Sequence, residues 1–285
     1  METLDIAVTD GTLRALRFGG GSRSVVAAHG ITASAMSWRA VAREMPPDWQ
    51  LIALDLRGRG GSADAPGPYG MDRHADDLIA IAEGLPQPIV LSGQSMGAYA
   101  ALRAAVRRPD LFAKLVLVDG GLPLPLPPGL DPDATIAAVV GPAIARLSMT
   151  FDSEQAYLDF FRAHPALSEW NEDLEEYVRY DATGPADAIR SRVNAEAISA
   201  DGRDMVVNAD RVVADLRALT VPTILLHAPR GMLGQEPGLL PQPLVDEWIA
   251  QVPAMRARLV PQTNHYTILM GPAGAAAVAE ALTEA

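Results

Sequence analysis

The sequence has 285 residues, of which 49% are hydrophobic, 5% aromatic and 20% charged, with a formal net charge of -12 and a pI near 4.8. That length and balance suit a soluble chain with a sizeable core, either one large α/β domain or a core with an insertion, and show no signature of a disordered or fibrous protein. The acidic charge argues against a nucleic-acid partner, because phosphate binding needs clustered Lys and Arg. Cysteine is absent, which excludes disulfides, zinc–thiolate sites and a thiol nucleophile.

The first residues lack a basic segment followed by an apolar stretch long enough for export, and no run of about 18 apolar residues occurs elsewhere, so no membrane association and a cytoplasmic location are expected. Residues 3–9 (TLDIAVT), 13–18 (LRALRF) and 24–29 (SVVAAH) are separated by Asp10-Gly11 and by Gly19-Gly20-Gly21, predicting an opening hairpin and then a buried strand. Buried-strand patterns recur at 50–55 (QLIALD), 88–93 (PIVLSG), 113–119 (AKLVLVD) and 222–228 (PTILLHA), and more weakly at 257–262 (ARLVPQ). Helical patterns lie between them at 37–45, 71–85, 98–109, 244–252 and 273–285. Strands alternating with helices predict a mostly parallel sheet of eight strands with helices on both faces.

That alternation stops from Gly120 to about Arg217. The stretch opens with GLPLPLPPGLDPD, whose five prolines forbid regular structure, and continues as the apolar-periodic pieces ATIAAVVGPAIARL and EQAYLDFFRAH. A helical insertion over residues 122–217 is expected, with the core formed by 1–121 and 218–285.

Residues 89–100 read IVLSGQSMGAYA, with Ser95 between Gly93 and Gly97 where a strand gives way to a helix. A serine hydroxyl is a weak nucleophile and needs an adjacent base held by a carboxylate. A sharp strand-to-helix turn lifts such a side chain off the sheet and aims free helix N–H groups at a developing oxyanion. The bare G-x-S-x-G pattern is also compatible with a tight turn whose serine caps the helix. Its context here, after PIVLS and downstream of AHGITASAMSW, favours the nucleophile.

With these motifs the chain resembles the α/β-hydrolase fold family, over nearly all of its length outside the insertion. His29-Gly30 matches the family's HG pair after the third strand, and the resemblance implies that the N–H groups of Ile31 and Met96 form the oxyanion hole. DLRGRGGS (55–62) is similar to the family's D-x-R-G-x-G-x-S loop, and its arginines are expected to order loops beneath the site. His265, between the last strand and the terminal helix, stands where the family keeps its catalytic base. His29 belongs to the oxyanion loop, and His74, His164 and His227 lie on a polar helix face, in the insertion and at a buried strand end.

The acid departs from the family pattern. An H-G-x-x-D segment is expected after the seventh strand, and this chain has HAPRG, with Gly231 in the aspartate's place. Two carboxylates are candidates: Asp119, at the tip of the sixth strand as in some relatives with a cap, and Glu236, further along the same loop. Asp119 is the first choice, although an aspartate there can also serve only to bond loop amides.

The resemblance implies a serine hydrolase acting through an acyl-enzyme on an ester, thioester or lactone of a mostly apolar small molecule. Carbon–carbon hydrolysis, acyl transfer, perhydrolysis or a non-catalytic binding role are alternatives, and the fold alone does not choose among them. In the insertion, Leu122, Leu124, Leu126, Val139, Val140, Ile144 and Leu147 are candidate lining residues, with Phe160, Phe161 and Trp170 above them. No cofactor or metal is expected, since the histidines are scattered and neither HExxH nor an Asp-rich loop occurs. A monomer or homodimer is expected.

Overall fold

The computed structural model describes residues 1–124, 131, 134, 141 and 144–284. Asp10 and Gly11 take positive φ angles of 62° and 149° and reverse the chain between β1 (Glu2–Val8) and β2 (Gly11–Gly19), which pair antiparallel as expected. The later strands are β3 (Arg23–Ala28), β4 (Trp49–Leu54), β5 (Ile89–Gln94), β6 (Phe112–Val118), β7 (Thr223–His227) and β8 (Met255–Leu259). Together they form one eight-stranded sheet in the order β1-β2-β4-β3-β5-β6-β7-β8. β2 runs antiparallel to both neighbours, and every pairing from β4 to β8 is parallel.

β8 begins two residues before the expected segment and ends at Leu259. The Val260 N–H bonds the His227 carbonyl at 2.9 Å, and Pro261, with no N–H, cannot extend the ladder.

The strands read as continuous apolar runs because both faces are covered. Val26, Leu91, Leu117 and Leu225 face one way, against α2 (Met71–Glu83) and α3 (Met96–Arg107). Val25, Val90, Val116 and Leu226 face the other way, against Trp38, α1 (Arg39–Glu44) and the C-terminal helix (Pro272–Thr283). Burying each such Leu or Val stabilises the fold by about 1.5–3 kcal/mol.

From β3 the chain moves outward to β4 and then returns past β3 to β5. The crossover helices therefore leave the ends of β3 and β5 in opposite directions, which opens a crevice at their carboxyl ends. Ala28 lies in register with Gly93, Gln94 with Val118, and Val118 with Leu226, so the residues after β3, β5 and β6 emerge at one level.

Between β6 and β7 lie α4 (Glu154–Arg162), α5 (Glu172–Asp181), α6 (Ala195–Val207) and α7 (Ala209–Ala218), with a short ribbon pairing Ala182–Thr183 to Arg190–Ser191. Three of these helices start where a polar side chain caps free amides. Ser153 accepts from Ala156 N–H, Asn171 from Leu174 N–H, and Asn194 from Glu196 and Ala197 N–H.

Candidate active site

At the end of β5 the backbone turns so sharply that Ser95 adopts φ 53°, ψ -121°, a conformation that L-residues rarely take and that persists only where the surroundings enforce it. The surroundings are glycines in close contact. A Cβ on Gly93 would overlap the Gly97 carbonyl, one on Gly97 would overlap the Ala28 carbonyl, and one on Gly120 would overlap the Ser95 backbone. The helix begins at Met96, two residues earlier than its apolar pattern suggests, which puts the Met96 N–H in the first turn with no intrahelical partner.

Ser95 Oγ lies 3.0 Å from His265 Nε2, and His265 Nδ1 lies 2.7 Å from Asp119 Oδ2. A carboxylate can only accept, so Nδ1 carries the hydrogen and Nε2 accepts from the serine hydroxyl. Asp119 is fully buried, has a positive φ of 46°, and receives the Ala228 N–H on Oδ1 at 3.1 Å. The His265 loop is tied down by Gln94, whose Nε2 donates to the His265 carbonyl at 3.2 Å. Glu236 is exposed and makes no bond to His265, so Asp119 is the carboxylate that the fold brings to the imidazole. Gly231, in the place of the usual aspartate, has its N–H bonded to the Gln235 carbonyl at 2.8 Å.

Ile31 and Met96 flank Ser95 in the lining of the crevice. The peptide after Ile31 is held from behind: its carbonyl accepts from Arg59 Nε at 2.9 Å, and Arg59 Nη2 approaches Met96 Sδ at 3.6 Å. Arg59 is wholly buried and paired with Asp201 of α6, which also contacts His74 at 2.9 Å and receives the Gly70 N–H at 2.6 Å. Burial opposes ionisation of Asp201, but His74 and Arg59 overcome it and hold the carboxyl at about 2. Asp55 accepts from Ala35 N–H, Gly61 N–H and the Tyr180 hydroxyl of α5, at 2.7, 2.8 and 2.5 Å. The DLRGRGGS loop thus orders the loops beneath the site, as expected, and also anchors two helices of the insertion.

The other histidines have structural settings. His29 donates from Nδ1 to the Gly30 carbonyl at 2.8 Å and accepts the Leu56 N–H on Nε2 at 3.0 Å, and burial lowers its pKa to about 3. His164 accepts the Ala166 N–H at 3.2 Å, and burial lowers the pKa of both His164 and His227.

The crevice over Ser95 is lined by the loop after β3, by Leu124, by Tyr177 of α5 and Met205 of α6, by Met232 and Leu239 after β7, and by Tyr266, Leu269 and Met270. Of the expected lining residues, Leu124 is there. Leu122 is buried, with its carbonyl bonded to the Tyr99 hydroxyl at 2.8 Å, while Ile144 and Leu147 pack on the core. Leu126, Val139 and Val140 lie outside the described residues. Phe160 is 36% exposed, and Phe161 and Trp170 pack against the second apolar cluster, so these three do not roof the crevice. Tyr177 and Met205 take that place, at positions whose helical spacing resembled ordinary packing. Tyr266 had a signal in its position beside His265, and Gln94 in its position inside the serine motif. Among the described residues there is no group of three or more His, Asp or Glu that could hold a metal, and no helix is long and apolar enough to cross a membrane.

A strained serine at a strand-to-helix turn, hydrogen-bonded to a histidine and through it to a buried aspartate on an eight-stranded, mostly parallel sheet, defines the α/β-hydrolase architecture. The model of the Alpha/beta hydrolase family matches residues 25–281, and the chain belongs to that family. Among curated proteins it is 40% identical over 106 residues to N-formylmaleamate deformylase of Pseudomonas putida, covering 36% of this chain and 40% of that protein. It is 34% identical over 104 residues to the putative carbamate hydrolase RutD of Caulobacter segnis, covering 35% and 39%. The chain thus matches about two-fifths of the length of these curated relatives. The crystal structure of E-2-(acetamidomethylene)succinate hydrolase superposes with a TM-score of 0.79 over 100% of both chains at 20% identity, a likeness of fold.

Proposed function

We propose that the protein is a serine hydrolase that cleaves an ester, thioester or lactone through an acyl-enzyme on Ser95. The unbroken chain of contacts from Ser95 Oγ through His265 to Asp119 carries this reading. Ser95 Oγ attacks the substrate carbonyl carbon while His265 Nε2 takes its proton, and Asp119 stabilises the imidazolium that forms. The negative charge on the tetrahedral oxygen is received by the N–H groups of Ile31 and Met96. His265 then gives its proton to the leaving group as the carbon–oxygen or carbon–sulfur bond breaks. Water, deprotonated by the same nitrogen, releases the acid and restores Ser95.

Residues 122–217 act as a cap that selects an apolar acyl group, because Leu124, Tyr177 and Met205 of that span face Ser95 across the crevice. Relatives named a deformylase and a carbamate hydrolase favour a second reading, the same steps applied to an acyl–nitrogen bond. Turnover of an ester against its isosteric amide decides between them.

The test is labelling with a fluorophosphonate, read by intact mass and peptide mapping on wild type and Ser95→Ala. One adduct per chain, on Ser95 and lost in the variant, is expected. A folded wild-type protein that takes no adduct overturns the reading and leaves a binding role on the same fold.

A further inference from the structure

Resting on that reading, the crevice itself narrows the kind of acyl group it accepts. Among its lining residues His265 is the only basic side chain, and none is Asp or Glu. The undescribed residues between 125 and 143 contain no Lys, Arg or His, so they bring no cation to the site. The two buried arginines beside it are committed. Arg59 is bound to Ile31, Arg57 and Asp201, and Arg146 to Asp181 and Tyr157. A substrate carboxylate is held most strongly by such a cation, and among the described lining residues only His265 could supply one.

Two hydroxyls of the lining are used inside the protein. The Tyr99 hydroxyl is used by the Leu122 carbonyl and Ser37 Oγ by the Ser34 carbonyl, each at 2.8 Å. The hydroxyls of Tyr177 and Tyr266 have no hydrogen-bond partner among the described residues, although both side chains line the crevice and Tyr177 is only 7% exposed. Neither hydroxyl oxygen is among the buried polar atoms that lack a partner, so both reach the crevice and can donate to what fills it. Burial pushes both hydroxyls above the usual phenol range, which keeps them protonated and able to donate. Tyr177 comes from α5 and Tyr266 follows His265 directly, its ring centroid 5.8 Å from the imidazole, so two separate elements each bring a phenol to the crevice lining.

We propose that Tyr177 and Tyr266 form a two-donor subsite for an uncharged oxygen acceptor, a ketone, ester or amide carbonyl, carried on the acyl group of the substrate. A plain alkyl chain leaves both donors unmet. A carboxylate at the same place is desolvated without a counter-charge. The preferred substrates are therefore neutral oxo-acyl compounds.

Three p-nitrophenyl esters of equal acyl length test this: a plain alkanoate, its oxo analogue with the ketone four or five carbons along, and the analogue ending in a carboxylate. Wild type should favour the oxo ester over the plain one by about tenfold in kcat/KM and disfavour the carboxylate by at least about tenfold. In Tyr177→Phe and Tyr266→Phe the oxo-to-plain ratio should fall toward one. Equal use of oxo and plain esters by wild type, survival of the preference in both variants, or preference for the carboxylate overturns the subsite. Calorimetric titration of Ser95→Ala with the corresponding methyl esters reads recognition without turnover. If wild type cleaves no ester and resists the fluorophosphonate while Ser95→Ala still binds the oxo ligand more tightly, the hydrolase reading fails and the subsite stands.

Discussion

The floor and the roof of the crevice differ in what is added to apolar packing. The floor, where Ser95, Asp119 and His265 emerge, rests on parallel strands whose register is fixed by apolar burial on both faces and by glycines in backbone contact. The roof, from α4 to α7, shares the same apolar clusters through residues such as Leu174, Val178, Ile198 and Leu216, and is tied to the core through polar groups as well. These include Asp201 with Arg59, Tyr180 with Asp55, the Met71 N–H on Asp204 at 2.9 Å, and Arg103 with Asp215 at 2.7 Å. Apolar packing resists small displacements in every direction, whereas a few directional bonds fail one at a time. Ser95, Asp119 and His265 sit on that floor, and Tyr177 and Met205 sit on helices whose docking adds directional bonds to apolar contact.

The largest effect should come from the floor. Asp119→Asn should lower kcat by roughly 10³ to 10⁴ with the melting temperature little changed, while Glu236→Gln should match wild type. Steady-state ester hydrolysis by the two variants checks this, and equal losses would return the choice of acid to open competition.

At the junction of floor and roof, Asp201→Ala leaves the Arg59 guanidinium buried without its counter-charge. It should lower unfolding stability by about 3–5 kcal/mol in urea titration, because breaking one half of a buried pair strands the other. The same variant should also weaken turnover, since Arg59 supports the Ile31 peptide. A stability within about 1 kcal/mol of wild type would show that the network does not brace the loop.

The smallest effect is a slope in pH. Burial holds His29 neutral down to about 3, against 6.5 for a free histidine. Between these values the unfolded chain binds a proton that the folded one refuses. The stability from this group is therefore complete above 6.5 and is lost as pH falls through that window, by about 1.4 kcal/mol per pH unit. Urea unfolding at pH 4, 5, 6 and 7 should give His29→Gln the shallower dependence by that amount, and parallel lines would mean that His29 ionises inside the fold.

The sheet was legible because its strands are apolar runs bounded by glycine, proline and aspartate, and hairpin, parallel order and helical cover all follow from that pattern. Ser95 was legible from its paired glycines and His265 from its place after the last strand. Asp119 could be proposed only as one of two candidates, since the register that sets it beside Leu226 and Ala228 is a long-range pairing that no local pattern encodes. The roof was the least legible. Tyr177 and Phe161 both belong to helical apolar stripes, and what separates them is how each helix docks, through contacts such as Asn171 with the Met270 carbonyl at 3.2 Å. Arg59 and Asp201, 142 residues apart, carry no mutual signal.

Placing the histidine's partner at the tip of β6 has a consequence for the loop after β7. Ala228 braces Asp119 through its N–H and Arg230 braces the His265 loop through the Gln262 and Thr263 carbonyls, whereas residues 231–241 supply Met232 and Leu239 to the crevice and no group to the chain of contacts from Ser95 to Asp119. In an arrangement with the acid on that loop, every insertion or change of conformation would disturb the imidazole. Here residues 231–241 are released from that duty, and their number and side chains can drift while Ser95, His265 and Asp119 keep their spacing. The substrate range of this scaffold is thus free to diversify along a segment whose errors cost selectivity rather than chemistry.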